Sequence, residues 1–237
     1  TIDIINALAL LTNFLILPAL SYGSQLALGA LAVTLVYSVL RFSNFAQGDS
    51  MSFGTMLVIL LTWFMISQGW TINGIPTALL VIPIAIIGTA IYLLTMDRLV
   101  YRFFRRVKAK SITIVMASIG VMFITGGIVR FISGVRPKTF ADGERFIFSV
   151  REFKAFTGLE QGIALKTSQF LTITIALLLV AFVFYFLQKT KTGKTMRAYS
   201  DNEELALLSG IDPDKVVTVT WLLVASLTTI AGALYGL

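Results

Sequence analysis

The feature that most constrains this chain is the length of its apolar runs. About seven stretches, at residues 4–20, 22–40, 52–68, 76–97, 112–133, 168–188 and 216–237, carry almost no charge. Most approach the ~20 residues that a hydrocarbon layer of ~30 Å demands of a crossing helix. Only 13% of the 237 residues are charged, against about 25% in a soluble domain, too few to coat a water-facing surface. Lipid offers no partner to backbone N–H and C=O groups, and the runs lack the alternation of a barrel strand, so each reads as a helix. The expected fold is all-α: a polytopic membrane helix bundle of about seven transmembrane helices, one domain over 1–237, bent at Pro18 and Pro83. The chain stops inside the last apolar run, so further C-terminal spans are expected. Its N-terminus lacks the basic region and small-residue cleavage site of a removed signal peptide.

With no cysteine and no histidine, disulfides, thiolate metal sites, Cys nucleophiles and imidazole acid–base chemistry are excluded together. The net charge of +7 belongs to the connections between spans and argues against a nucleic-acid face. Arg41, the run Arg98 to Lys110 and the run Lys189 to Lys215 fall on one side if seven spans alternate, giving that side twelve of the 19 basic residues. The positive-inside rule then puts the N-terminus in the cytoplasm and the polar loop 134–167 outside. In that loop Asp142-Gly143 signals a turn and Arg145 to Val150 a short strand.

Two stretches stand apart from plain spans. Residues 41–54, RFSNFAQGDSMSFG, place Ser43, Asn44, Gln47, Asp49 and Ser50 between apolar runs. Two readings stay open for them: a surface connection whose Asp49 or Ser50 caps the next helix, or a broken helix lining a water-filled path, its N-terminus turned toward a solute carboxylate. Residues 189–215 form the second stretch. Ser200 and Glu203 fit a capping box opening a short helix that Gly210 closes. Glu203 and Glu204 make that helix acidic, whereas helices lying on a membrane surface are basic on their polar face. It is therefore expected to dock on protein. Gly193-Lys194-Thr195 imitates the end of a phosphate-binding loop, but Gln188 stands where the first glycine belongs and no strand precedes it. The spans hold few ionisable residues, against an ion-driven pump, and no paired carboxylates for a membrane enzyme. A passive channel would have no use for an acidic docking helix.

At these two stretches the chain resembles the permeases of branched-chain amino acid ABC transporters. LALGALAVTLVYSVLRFSNFAQGDSMSFGTM and KTKTGKTMRAYSDNEELALLSGIDPDKVVTVTWLLVASLTTIAGAL are similar to two blocks of that family, in the same order, from about Leu26 onward. The resemblance implies a non-enzymatic permease of the bacterial inner membrane without a cofactor of its own. It would pair with a second, homologous permease, two cytoplasmic ATPase subunits and a periplasmic solute-binding protein, and work by alternating access. It also implies that Asn44, Phe45, Gln47, Gly48 and Asp49 lie near the translocation path. Residues 189–215 would be the coupling region, with Ser200, Asp201, Glu203, Glu204, Leu205, Leu208 and Gly210 at the ATPase. Gln47 stands where the family commonly has His, and Ser38 where it has Gly, which leaves urea or short amides as the alternative solutes.

Overall fold

A computed structural model describes residues 2–70, 77–134, 146–148 and 165–236. Among them are eight helices: α1 (Asn6–Leu40), α2 (Gln47–Ser67), α3 (Thr77–Arg106), α4 (Ser111–Ser133), α5 (Thr167–Lys189), α6 (Lys191–Asp201), α7 (Glu203–Leu208) and α8 (Pro213–Gly236). Six of these, all but α6 and α7, are long and apolar enough to cross a membrane. Two short antiparallel strands, β1 (Phe146–Phe148) and β2 (Leu165–Lys166), pair before α5. β1 falls within the strand expected at 145–150, while the turn at Asp142-Gly143 lies outside the described residues.

The count of spans corrects the sequence reading. The expected segments 4–20 and 22–40 are one helix, because the polar dip between them closes on itself. The Ser24 hydroxyl donates to the Leu20 carbonyl at 2.7 Å and Gln25 Nε2 to the Leu234 carbonyl at 3.0 Å. Pro18 does not break the helix either. A π-helical turn at Thr12–Ile16, in which the Leu17 amide reaches the Thr12 carbonyl, precedes it and accommodates a ring that would crowd an ordinary turn. The helix therefore carries the N-terminal residues to the end opposite Arg41. Those connections do share one end. The Ser111 hydroxyl donates to the Arg41 carbonyl at 3.3 Å, the Arg41 guanidinium donates to the Ser200 carbonyl, and Arg102 pairs with Asp214 at 2.5 Å.

Helix α8 is the centre of the bundle. In its most apolar stretch 67% of the residues are buried, against 17% in α5, which lies at the periphery. Small residues allow this. A Cβ added at Gly54 of α2 would meet the Thr229 backbone at 3.0 Å, and one at Gly232 would meet the Met51 carbonyl at 2.9 Å. With no hydrophobic force between helices in lipid, such close backbone approach is what holds them. Two buried α8 threonines are satisfied within the helix, Thr220 and Thr228 donating to the carbonyls of Val216 and Val224, whereas the Thr229 hydroxyl, against Gly54, has no partner among the described residues.

Candidate functional site

Helix α1 ends at Leu40 because Arg41 takes a left-handed conformation, φ 59°, which only a few per cent of non-glycine residues adopt. Its amide returns to the Tyr37 carbonyl at 3.1 Å. The chain then re-enters the bundle. Its descent is marked by rungs on α4: Ser111 meets Arg41, the Ser118 hydroxyl accepts the Phe45 amide at 3.1 Å, and Gly126 lies against the Asp49 carboxylate. At 1.5 Å of rise per residue the second and third rungs stand about 10 Å and about 22 Å below the first. The start of α2 is thus deep in the bundle, and 41–54 holds a break between two helices inside it and not a connection at its surface.

The break is held by Asn44. Its buried Oδ1 accepts both the Ala46 amide and the Tyr101 hydroxyl, each at 3.1 Å, while its carbonyl accepts the Gln47 amide at 3.3 Å. Ala46 offers α2 no side-chain cap, so beyond the Ala46 and Gln47 amides that Asn44 holds, the first turn presents the positive end of the helix dipole. Phe45 and Gly48 are exposed, Asp49 is half-buried in the first turn, and Gln47 is buried. Neither amide atom of Gln47 has a partner among the described residues, a cost of about 1–3 kcal/mol for a group so enclosed.

The second stretch folds into two helices. The Thr190 hydroxyl accepts the Gly193 amide and starts α6, and Gly193 is needed there because a Cβ would lie 2.6 Å from Leu187 Cα. Gly193-Lys194-Thr195 is thus a helical turn packed on α5. The expected capping box is corrected. Ser200 belongs to α6 and its hydroxyl donates to the Ser38 carbonyl at 2.7 Å, while Asn202 caps α7 by accepting the Leu205 amide at 3.0 Å. The local reason is that α6 runs on to Asp201, leaving Asn202 in extended backbone, ψ 105°. Gly210, φ 79°, does close α7: the Ile211 amide reaches the Ala206 carbonyl and the Gly210 amide the Leu207 carbonyl, each at 3.0 Å, a Schellman motif. Replacing Asn202 by Ala should therefore cost about 1 kcal/mol of local helix stability and Ser200→Ala should leave the α7 cap intact. Amide exchange at Leu205 reads both, and equal protection in the two variants would refute the assignment.

Of α7 only Ala206 is buried, and Glu203, Glu204, Leu205, Leu207 and Leu208 are exposed, Leu208 at 84%. Glu203 accepts the Tyr199 hydroxyl at 2.8 Å. Burial first, and then this bond, push the Tyr199 phenol above its ordinary pKa, so it remains a donor through the physiological range. A groove of about 620 Å³ separates α7 from the ends of α1 and α3, with Arg41, Arg105, Tyr199 and Glu203 among its walls.

Between the two stretches lies a group that the sequence reading did not single out. Asp97 sits in a π-helical turn of α3, Asp97–Tyr101. Its buried carboxylate accepts two bonds from Arg105, at 2.7 and 2.8 Å, and the Trp221 indole N–H at 2.7 Å. Tyr101 stacks on Trp221 with ring centres 5.6 Å apart and reaches Asn44 with its hydroxyl. The one available signal was a lone carboxylate at the edge of a basic run, where a solvated flank is the ordinary explanation.

Six membrane-length helices with a break deep inside make the chain a multi-pass membrane protein. The model of the family described as "Branched-chain amino acid transport system / permease component" matches residues 15–237, and the chain belongs to that family. It is thus a permease component and not an enzyme. It is similar to the high-affinity branched-chain amino acid transport system permease protein LivH of Salmonella typhimurium, 27% identical over 90% of this chain and 67% of the relative. A probable branched-chain amino acid transport permease protein LivH of Methanocaldococcus jannaschii is 28% identical over 91% of the chain and 64% of the relative. A fructose import permease protein, FruG of Bifidobacterium longum, is 27% identical over 68% of the chain and 44% of the relative. The chain spans about two thirds of the length of the LivH relatives. No solved structure matches it at a significant level.

Proposed function

We propose that this chain carries branched-chain amino acids across a bacterial inner membrane as one permease of an ATP-driven importer, with its basic end in the cytoplasm. The observation that carries the reading is the uncapped α2 N-terminus deep in the bundle, flanked by Phe45, Gly48 and Asp49. Open amides and a carboxylate at such depth are tolerated beside protein or water, not lipid. Together they offer a solute's carboxylate and ammonium groups one partner each. Asn44, Phe45, Gln47, Gly48 and Asp49 then border the path between this chain and a second, homologous permease. The enclosed, unpartnered amide of Gln47 fits a conformation that gives way to another in which water reaches it. Alternating access supplies that change, driven by two ATPase subunits gripping Ser200 to Gly210, while a periplasmic binding protein delivers the solute. With α1 as a single span and basic residues inside, the N-terminal end of α1 faces outward.

Reconstituting the complex and measuring solute-stimulated ATP hydrolysis tests the reading. Leucine, isoleucine or valine should stimulate turnover several-fold over the basal rate, and Asp49→Asn should remove most of that response. Stimulation by urea, a short amide or a sugar with none by the amino acids would transfer the assignment to that solute. The similarity to a fructose permease at the same identity as LivH makes this screen necessary.

A further inference from the structure

We infer that Tyr101 is a positioning residue through which movement at the groove beside α7 reaches the break before α2. Its consequence for transport rests on the permease reading above, but the mechanical claim stands on contacts within this chain. Arg105 shares the groove with Tyr199 and Glu203 and grips Asp97 with its two terminal guanidinium nitrogens. Asp97 fixes the Trp221 indole, and Tyr101 lies stacked on that indole. The Tyr101 hydroxyl ends the series on Asn44 Oδ1, the same atom that accepts the Ala46 amide at the break.

Three properties make this a route for displacement and not a mere row of neighbours. First, every joint is a directional hydrogen bond or a stack of planar groups, short at Asp97 (2.7–2.8 Å) and longer at Asn44 (3.1 Å), so that turning one member displaces the next. Second, Asp97, Tyr101, Trp221 and Asn44 are at most 6% exposed, so water cannot substitute for a lost partner. Third, Asp97 and Tyr101 are the two ends of a π-helical turn, a local widening frequent at functional positions, and here it serves Arg105 and Asn44 from a single turn of α3. A coupling element needs two discrete arrangements, and that is what the inference requires of this network. Among the described residues the hydroxyl bonds to Asn44 alone, and phenylalanine would keep the stack on Trp221 and the contact with Phe42, whose ring centre lies 5.1 Å away.

The absence of cysteine from the chain permits a test that needs no partner subunit. A single Phe45→Cys change, at a side chain 55% exposed beside the break, is placed in membranes and its labelling rate by a small thiol reagent is followed. Arg105→Lys keeps the charge but loses the two-pronged grip on Asp97. With Tyr101 intact this change should alter the labelling rate of the introduced thiol roughly five-fold, the scale of one hydrogen bond. In a Tyr101→Phe background the same change should have almost no further effect, because the last joint is already open. Equal effects of Arg105→Lys in both backgrounds, or no effect in either, would overturn the inference. In the reconstituted transporter, Tyr101→Phe should reduce solute moved per ATP about five-fold while hydrolysis continues. A complex that never responds to any solute refutes the permease reading, whereas a responsive complex whose Tyr101→Phe variant keeps its yield per ATP refutes only the role of Tyr101.

Discussion

Reversing both carboxylates of α7, Glu203→Lys with Glu204→Lys, is expected to weaken capture of the proposed ATPase subunits by about a hundred-fold, the range that reversal of paired interfacial charges covers. The argument begins with what α7 leaves uncovered. A helix that buries only Ala206 within its own chain, and presents Leu205, Leu207 and Leu208 alongside two carboxylates, has an unpartnered face. Anionic lipid would repel it, and its Asn202 cap and Gly210 closure hold it folded without external help. Such a face suits a protein groove with an apolar floor and a basic rim. Because Glu203 also receives the Tyr199 hydroxyl, the double change alters one internal contact. Leu208→Asp serves as the companion, since that side chain is 84% exposed. Co-purification of the ATPase subunits with each variant decides the matter. Retention of both subunits by both variants would mean that force enters the permease elsewhere.

How far the sequence can be read depends on whether a feature is local. The helical class and the polar interruption at 41–54 are local, because they follow from apolar run length and from what lipid forbids. The depth of the interruption is not, since it is set by Ser118 and Gly126 on a helix distant in sequence. The same limit explains the span count. Ser21 to Gln25 looks like a connection until the Gln25 amide is seen on Leu234, a residue near the far end of the chain. It also explains Asp97, whose partner Trp221 belongs to α8, so that no pattern of neighbours could separate it from a solvated flank. Ser-x-x-Glu is a local signal for a helix cap, and it is overridden at Ser200 because Ser38 of α1 captures the hydroxyl. Asn202, two residues on, has the right chemistry and becomes the cap.

The largest loss of stability should come from Asp97→Ala. That carboxylate satisfies three donors at once: two guanidinium nitrogens of Arg105 and the indole of Trp221. With side chains 7% and 19% exposed, the pair is largely shut off from water. Removing one member of a buried pair costs about 3–5 kcal/mol because the other is left charged and unmatched. Arg105 borders the groove and can recover some water there, so the lower end, about 3 kcal/mol, is expected. Asp97→Asn should cost roughly half as much, since its amide oxygen can still accept from Trp221 or Arg105. Ranking the variants by thermal unfolding in detergent provides the check. A further change separates a stranded charge from simple loss of packing. Adding Arg105→Met to Asp97→Ala removes the stranded cation and should restore a good part of the stability, as apolar replacement of buried ion pairs does. If the double variant is as weak as the single one, the damage lies in packing around Trp221, and the carboxylate's service to Arg105 is not what holds this end of the bundle together.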